Sequence, residues 1–99
     1  MQKKEQIIKK LKELKPYLEK EYSVEEIGVF GSYARNEQTE ESDIDILVAL
    51  KQGHSVGLIE FCGMQIFLSE IFNKKIDLVS KRGIHPALEK YILNEVVYI

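Results

Sequence analysis

GSYARNEQTEESDID, residues Gly31–Asp45, is the stretch on which the reading of this chain turns. A glycine and a serine stand at one end, and two aspartates separated by one residue stand at the other. The flanking runs say what it connects. Glu26–Phe30 (EIGVF) is short, apolar and partly β-branched, and it stops at Gly31, so it is predicted to be a strand. Asp43–Leu50 (DIDILVAL) starts with alternation and becomes wholly apolar. That pattern predicts a strand with one end at a site and the rest buried on both faces.

Working outward, Ile7, Leu11, Leu14 and Leu18 recur at helical spacing and predict a helix over residues 3–21, with lysine and glutamate on its other side. Pro16 lies inside this pattern, so a kink or two abutting helices is expected near Lys15. The six lysines among residues 3–15 are interleaved with Glu5 and Glu13, which favours a solvated helix face over a nucleic-acid-binding one. Residues 57–73 are rich in apolar side chains and free of proline, predicting a well-buried helix. Lys75–Ser80 (KIDLVS) is a third strand with one acid in it. Pro86 at a first helical position opens a last helix to about Asn94, and VVYI follows as a terminal strand or docking tail. The order α-β-α-β-α-β-α describes one α/β or α+β domain over residues 1–99.

Composition narrows the function. A chain of 99 residues buries about two-thirds of its unfolded surface, enough for one core but not for a second lobe, so a large substrate would be held partly by another molecule. With 44% hydrophobic and 30% charged residues it reads as a soluble globular protein. No apolar run approaches the roughly 18 residues of a membrane span, and the N-terminus lacks the apolar core of a signal peptide. A cytoplasmic protein without a membrane partner is expected. A formal net charge of −2 argues against direct binding of nucleic acid by this chain alone. The single cysteine, Cys62, lies in the apolar run LIEFCGMQIF and is expected in the core. His54 and His85 have no second histidine or cysteine at ligand spacing, so loop or capping roles are expected. Lys81 and Arg82 could reach an anion or belong to a solvated loop, and Tyr33 could stack on a base or be an incidental exposed aromatic.

The chemistry resides in the acids. Residues i and i+2 of a strand project from the same face, so Asp43 and Asp45 stand side by side. Two adjacent anions repel, which is costly as mere structure and sensible as a clamp for a cation. Oxygen-only ligands favour a hard ion, Mg²⁺ in particular. If the strand carrying Asp77 neighbours Asp43–Leu50, a third carboxylate completes a site able to hold two ions during phosphoryl transfer. The bland alternative is a turn cap at Asp43, an exposed Asp45 and an edge-strand charge at Asp77. The Gly31-Ser32 turn weighs against it: glycine admits close approach of a ligand to the backbone, and Ser32 could hold a phosphate or cap the short helix opened by Tyr33-Ala34-Arg35. Arg35 could join them on the nucleotide phosphates or pair with Glu37, and Asn36 suits a left-handed turn.

Gly31-Ser32, ten intervening residues and Asp43-Ile44-Asp45 resemble the G-S-x(10)-D-x-D signature of the DNA polymerase β-like nucleotidyltransferase superfamily. The chain is similar over nearly its full length to the smallest branch, the minimal nucleotidyltransferase (MNT) domain. The resemblance implies a central mixed β-sheet flanked by helices, with divalent metal held at Asp43, Asp45 and Asp77, and nucleotide triphosphate held at Gly31 and Ser32. It implies transfer of AMP from ATP with Mg²⁺. The acceptor would be a tyrosine of a HEPN-domain ribonuclease toxin for which the chain is the antitoxin. Two other functions stay open: neutralisation of a partner by occlusion without catalysis, and nucleotidyl transfer to a small molecule. Asn36 departs from the glycine common at that position in the family, with the same left-handed preference.

Overall fold

The computed structural model describes residues 3–53 and 56–99. His54 lies outside the described residues. Helix α1 spans Lys4–Tyr22, strand β1 Val24–Phe30 and the short helix α2 Gly31–Ala34. Strand β2 follows at Ile44–Leu50, helix α3 at Leu58–Phe72 and strand β3 at Ile76–Ser80. A single 3-10 turn at Lys81–Gly83 leads to helix α4, Pro86–Glu95, and strand β4, Val97–Tyr98.

The four strands form one mixed sheet in the order β3-β2-β1-β4. β1 is antiparallel to β2 and to β4, while β2 and β3 are parallel and joined through α3. This α+β architecture is the expected central mixed sheet flanked by helices. The core lies between the sheet and the long helices. Ile7, Leu11 and Leu18 of α1 and Met64, Leu68 and Phe72 of α3 join Val24, Ile27 and Val29 of β1, Ile44, Ile46 and Val48 of β2, and Ile76 and Leu78 of β3. The even positions of β2 and β3 therefore face the helices. Because strand side chains alternate, Asp45 and Asp77 are sent to the opposite face.

The terminal strand docks as one of the two expected outcomes for VVYI: Gly28 pairs with Tyr98 and Val29 with Val97. Gly28 is required there, since a Cβ would lie 2.6 Å from Val96 Cγ2 and 3.0 Å from the Val97 carbonyl oxygen. Pro86 occupies the first turn of α4, and His85 caps it, its Nδ1 accepting a hydrogen bond from Ala87 N–H at 3.1 Å.

Three expectations are corrected. Of the two arrangements expected at Pro16, a pair of abutting helices is ruled out, since the first helix runs unbroken from Lys4 to Tyr22; Leu11 and Leu18, one on each side of the proline, are both anchored in the core. Cys62 is exposed rather than buried. It shares that fate with much of α3, which is not the well-buried helix its apolar content suggested: only Met64, Leu68 and Phe72 are buried, whereas Leu58 is 79% and Ile59 85% exposed. One side of a sheet covers one side of a helix, and the far side of α3 is left largely uncovered by the described residues.

Candidate active site

β2 and β3 meet in a parallel register that places Asp45 opposite Asp77, with Ile44 opposite Ile76 and Ile46 opposite Leu78. The two carboxylates thus share one face and one level of the sheet. This is the adjacency on which the sequence-based metal site depended. Asp45 is partly buried, and its carboxyl is pushed up from 3.8 to about 6: burial contributes most, then the charge of Asp77 and a hydrogen bond with it, then the charges of Asp43 and Glu95. A carboxylate whose ionisation is resisted by desolvation and by neighbouring anions sits in a locus short of positive charge.

Asp43 stands just before β2, and its Oδ2 lies 3.8 Å from Lys75 Nζ, an exposed ion pair. Its backbone neighbour is held in place, because Ile44 N–H donates to the Lys75 carbonyl at 3.1 Å. Among the described residues no three acidic, histidine or cysteine side chains are gathered as a ready-made ligand set. The geometry brings Asp45 and Asp77 together and turns Asp43 toward Lys75. The donors available are all carboxylate oxygens, which suit a hard divalent cation such as Mg²⁺.

The other half of the site is the turn out of β1. Phe30, the last residue of β1, pairs with Asp45, so Gly31 emerges directly beside the acid pair. Gly31 has φ +73°, in the left-handed region, and a Cβ built on it would overlap Asp45 Oδ2 and lie 2.8 Å from its Cγ. Only glycine meets both demands, so its presence is dictated by the approach of the turn to the carboxylate. Ser32 is inside α2 rather than at its cap, the cap position being Phe30. Asn36 takes φ 58°, as its residue type predicted. Tyr33 is neither a stacking platform nor an exposed aromatic. It is fully buried in the core cluster, its hydroxyl has no hydrogen-bond partner among the described residues, and burial pushes its phenol up from 10.0.

Arg35 makes the ion pair with Glu37 that was one of its two alternatives, Nε to Oε2 at 3.0 Å, and a second one that the sequence did not reveal, its NH1 donating to Glu95 Oε2 at 2.8 Å. Both acids hold its guanidinium proton more firmly, Glu37 first. Glu95 also accepts a hydrogen bond from Gly31 N–H through its other oxygen, Oε1, at 2.9 Å. Glu95 is a residue of the candidate site to which the sequence did not point. It is 64 positions from Gly31 along the chain, at the end of an ordinary helix, and no local pattern distinguishes it. Lys81, a candidate for contacting an anion, is engaged elsewhere, 3.2 Å from Glu26 Oε1 and over the ring of Tyr98.

The model of the nucleotidyltransferase domain family matches residues 5–99. The chain belongs to that family. The protein adenylyltransferase MntA of Thermococcus cleftensis is 40% identical to it over 85 residues, covering 86% of this chain and 84% of that protein. Among solved structures, one described as a candidate minimal nucleotidyltransferase superimposes with a TM-score of 0.79 at 28% identity, covering 97% of this chain and 95% of the other. A toxin-antitoxin complex solved with AMP-PNP contains a chain that superimposes with a TM-score of 0.70 at 25% identity, covering 96% of this chain and 70% of that one. This nucleotidyltransferase has, among its described residues, no helix long and apolar enough to cross a membrane.

Proposed function

We propose that this nucleotidyltransferase is a magnesium-dependent protein adenylyltransferase that moves AMP from ATP to a tyrosine of a HEPN-domain toxin, and that it is the toxin's antitoxin. We further take residues 1–99 as one minimal catalytic domain. The observation that carries the reading is the in-register pairing of Asp45 with Asp77 beside the Gly31 turn. It agrees with the name of the archaeal relative and with the likeness to a chain of a toxin-antitoxin complex solved with AMP-PNP.

In this reading Asp45 and Asp77 would hold magnesium, and Asp43 could join them, since its exposed pair with Lys75 is worth at most about 1 kcal/mol. Two bound ions would neutralise the phosphate charges at the reacting centre. Gly31 lets the backbone approach the nucleotide closely, and the Ser32 hydroxyl donates to a phosphate oxygen, with Arg35 behind them. The acceptor phenol attacks the α-phosphorus; a new O–P bond forms, the α–β anhydride bond breaks and pyrophosphate leaves. Asp77, an exposed carboxylate, would receive the phenolic proton.

The test is the intact mass of the partner HEPN protein after incubation with this chain, ATP and Mg²⁺, beside an Asp43→Asn/Asp45→Asn double variant. One or more added AMP masses with the wild type alone supports the reading. No added mass, with toxin neutralised equally by both forms, replaces it with neutralisation by occlusion.

A further inference from the structure

Glu95 makes two contacts with one carboxylate, and both are with residues assigned above to the nucleotide side of the site. Oε1 accepts from the buried Gly31 N–H at 2.9 Å, and Oε2 accepts from Arg35 NH1 at 2.8 Å. A buried backbone N–H needs a partner, and the first N–H groups of a helix have none within the helix itself. The Glu95 carboxylate supplies one. Arg35 in turn lies between two acids, with Glu37 on its Nε, so its charge is already compensated within the chain.

We propose that Glu95 is a positioning residue for nucleotide binding: with Arg35 it forms a clasp that holds the Gly31 turn against Asp45. On this inference Arg35 acts through the clasp and does not itself ligate phosphate. Three features of the structure agree. Gly31 is in a left-handed conformation and within overlap distance of Asp45 for any Cβ, so a small displacement of the turn alters the approach of Ser32 and of the acid pair together. The Glu95 side chain is only 26% exposed, which strengthens a charge-assisted contact relative to a surface pair. Glu95 ends α4 just before β4, and β4 is bonded to β1, the strand that ends at the same turn. The clasp therefore closes a ring of structure: β1, turn, Arg35, Glu95, β4 and back to β1.

The inference rests on the adenylyltransferase reading and can fail separately from it. Affinity for AMP-PNP with Mg²⁺ would be measured by calorimetry, together with hydrogen exchange of the Gly31 amide in the nucleotide-free protein. Glu95→Ala is expected to weaken AMP-PNP binding about tenfold, the range typical of lost orienting contacts, and to speed Gly31 exchange. Glu95→Gln keeps an acceptor for the Gly31 N–H while losing the charge facing Arg35, so it should recover most of the exchange protection and part of the affinity. It also serves as the fallback where the alanine variant does not fold. Arg35→Ala is expected to follow Glu95→Ala in both readouts, since it opens the same clasp. Unchanged affinity in Glu95→Ala would overturn the inference. Tighter binding would overturn it as well, by showing that the carboxylate is an internal anion competing with the phosphates. If the wild type itself binds no AMP-PNP, the adenylyltransferase reading fails, and the role of Glu95 toward a nucleotide fails with it.

Discussion

The two sides of the site are held in different ways. Asp45 and Asp77 are brought together by backbone pairing: the ladder of β2 and β3 continues from Ile44–Ile76 to Val48–Ser80, and the carboxylates follow from its register. The Gly31 turn is held by side chains, through one glutamate from the far end of the chain. A ladder distributes its constraint over many bonds and over Ile44, Ile46, Ile76 and Leu78 in the core, whereas the clasp depends on two contacts at the edge of the site. The first should therefore tolerate neighbouring changes that the second does not, and chemical substitutions should act on reaction at the first and on binding at the second.

The largest expected effect is on the ladder side. Asp77→Asn leaves the register intact but removes a carboxylate proposed to hold metal and receive the phenolic proton. AMP transfer should fall by about a thousandfold, the order expected when several kcal/mol of transition-state stabilisation are lost. Mg²⁺-dependent thermal stabilisation should disappear with it. Retention of both would mean that the ladder pair is structural.

A smaller effect is expected at the turn. Gly31→Ala places a Cβ where Asp45 stands and forces a left-handed alanine. The fold should lose about 1–3 kcal/mol in denaturant unfolding, the cost of such strained positions. AMP-PNP affinity should fall too, whereas the same substitution at Gly53, also at positive φ but with no described neighbour within 4 Å of its Cβ, carries only the backbone penalty. Equal costs at the two glycines would show that contact with Asp45 does not constrain the turn.

The smallest effect is on pH dependence. The Asp45 carboxyl is raised from 3.8 to about 6 in the folded, metal-free protein, so between these values the folded state binds more protons than the unfolded one. Its contribution is therefore favourable at low pH and is lost as pH rises through about 6. With chelator present, the wild type should gain stability from this group between pH 7 and pH 5, against any general trend, and Asp45→Asn should lack that gain. Partial solvent exposure keeps the effect modest. Identical pH profiles for the two proteins would place the charge conflict elsewhere.

Much of this was legible beforehand because it depends on local period. The spacing of Ile7, Leu11 and Leu18 marked the buried stripe of α1, and the pattern of DIDILVAL marked a strand, although that strand begins at Ile44 and leaves Asp43 outside it, paired with Lys75 instead of standing beside Asp45 on one strand face. Pro86 and Asn36 act through their own backbone preferences, so they behaved as expected. The reading of α3 failed for a physical reason: apolar content reports a capacity for burial, and Leu58, Ile59 and Cys62 are left exposed by the described residues. Tyr33 misled in the opposite sense, since a polar-tipped aromatic beside a proposed site turned inward to fill the core.

Sequence alone determined which residues could do chemistry here: carboxylates in a period-two strand, a glycine able to enter left-handed space, and a serine beside it. These follow from side-chain identity and nearest-neighbour geometry, which a linear chain carries with it. Tertiary structure decided that Asp77 stands beside Asp45, that Asp43 faces Lys75, and that Glu95 secures the turn. Those contacts join residues whose separation in sequence carries no period or motif, so they exist only once the sheet has ordered its strands and the last helix has docked.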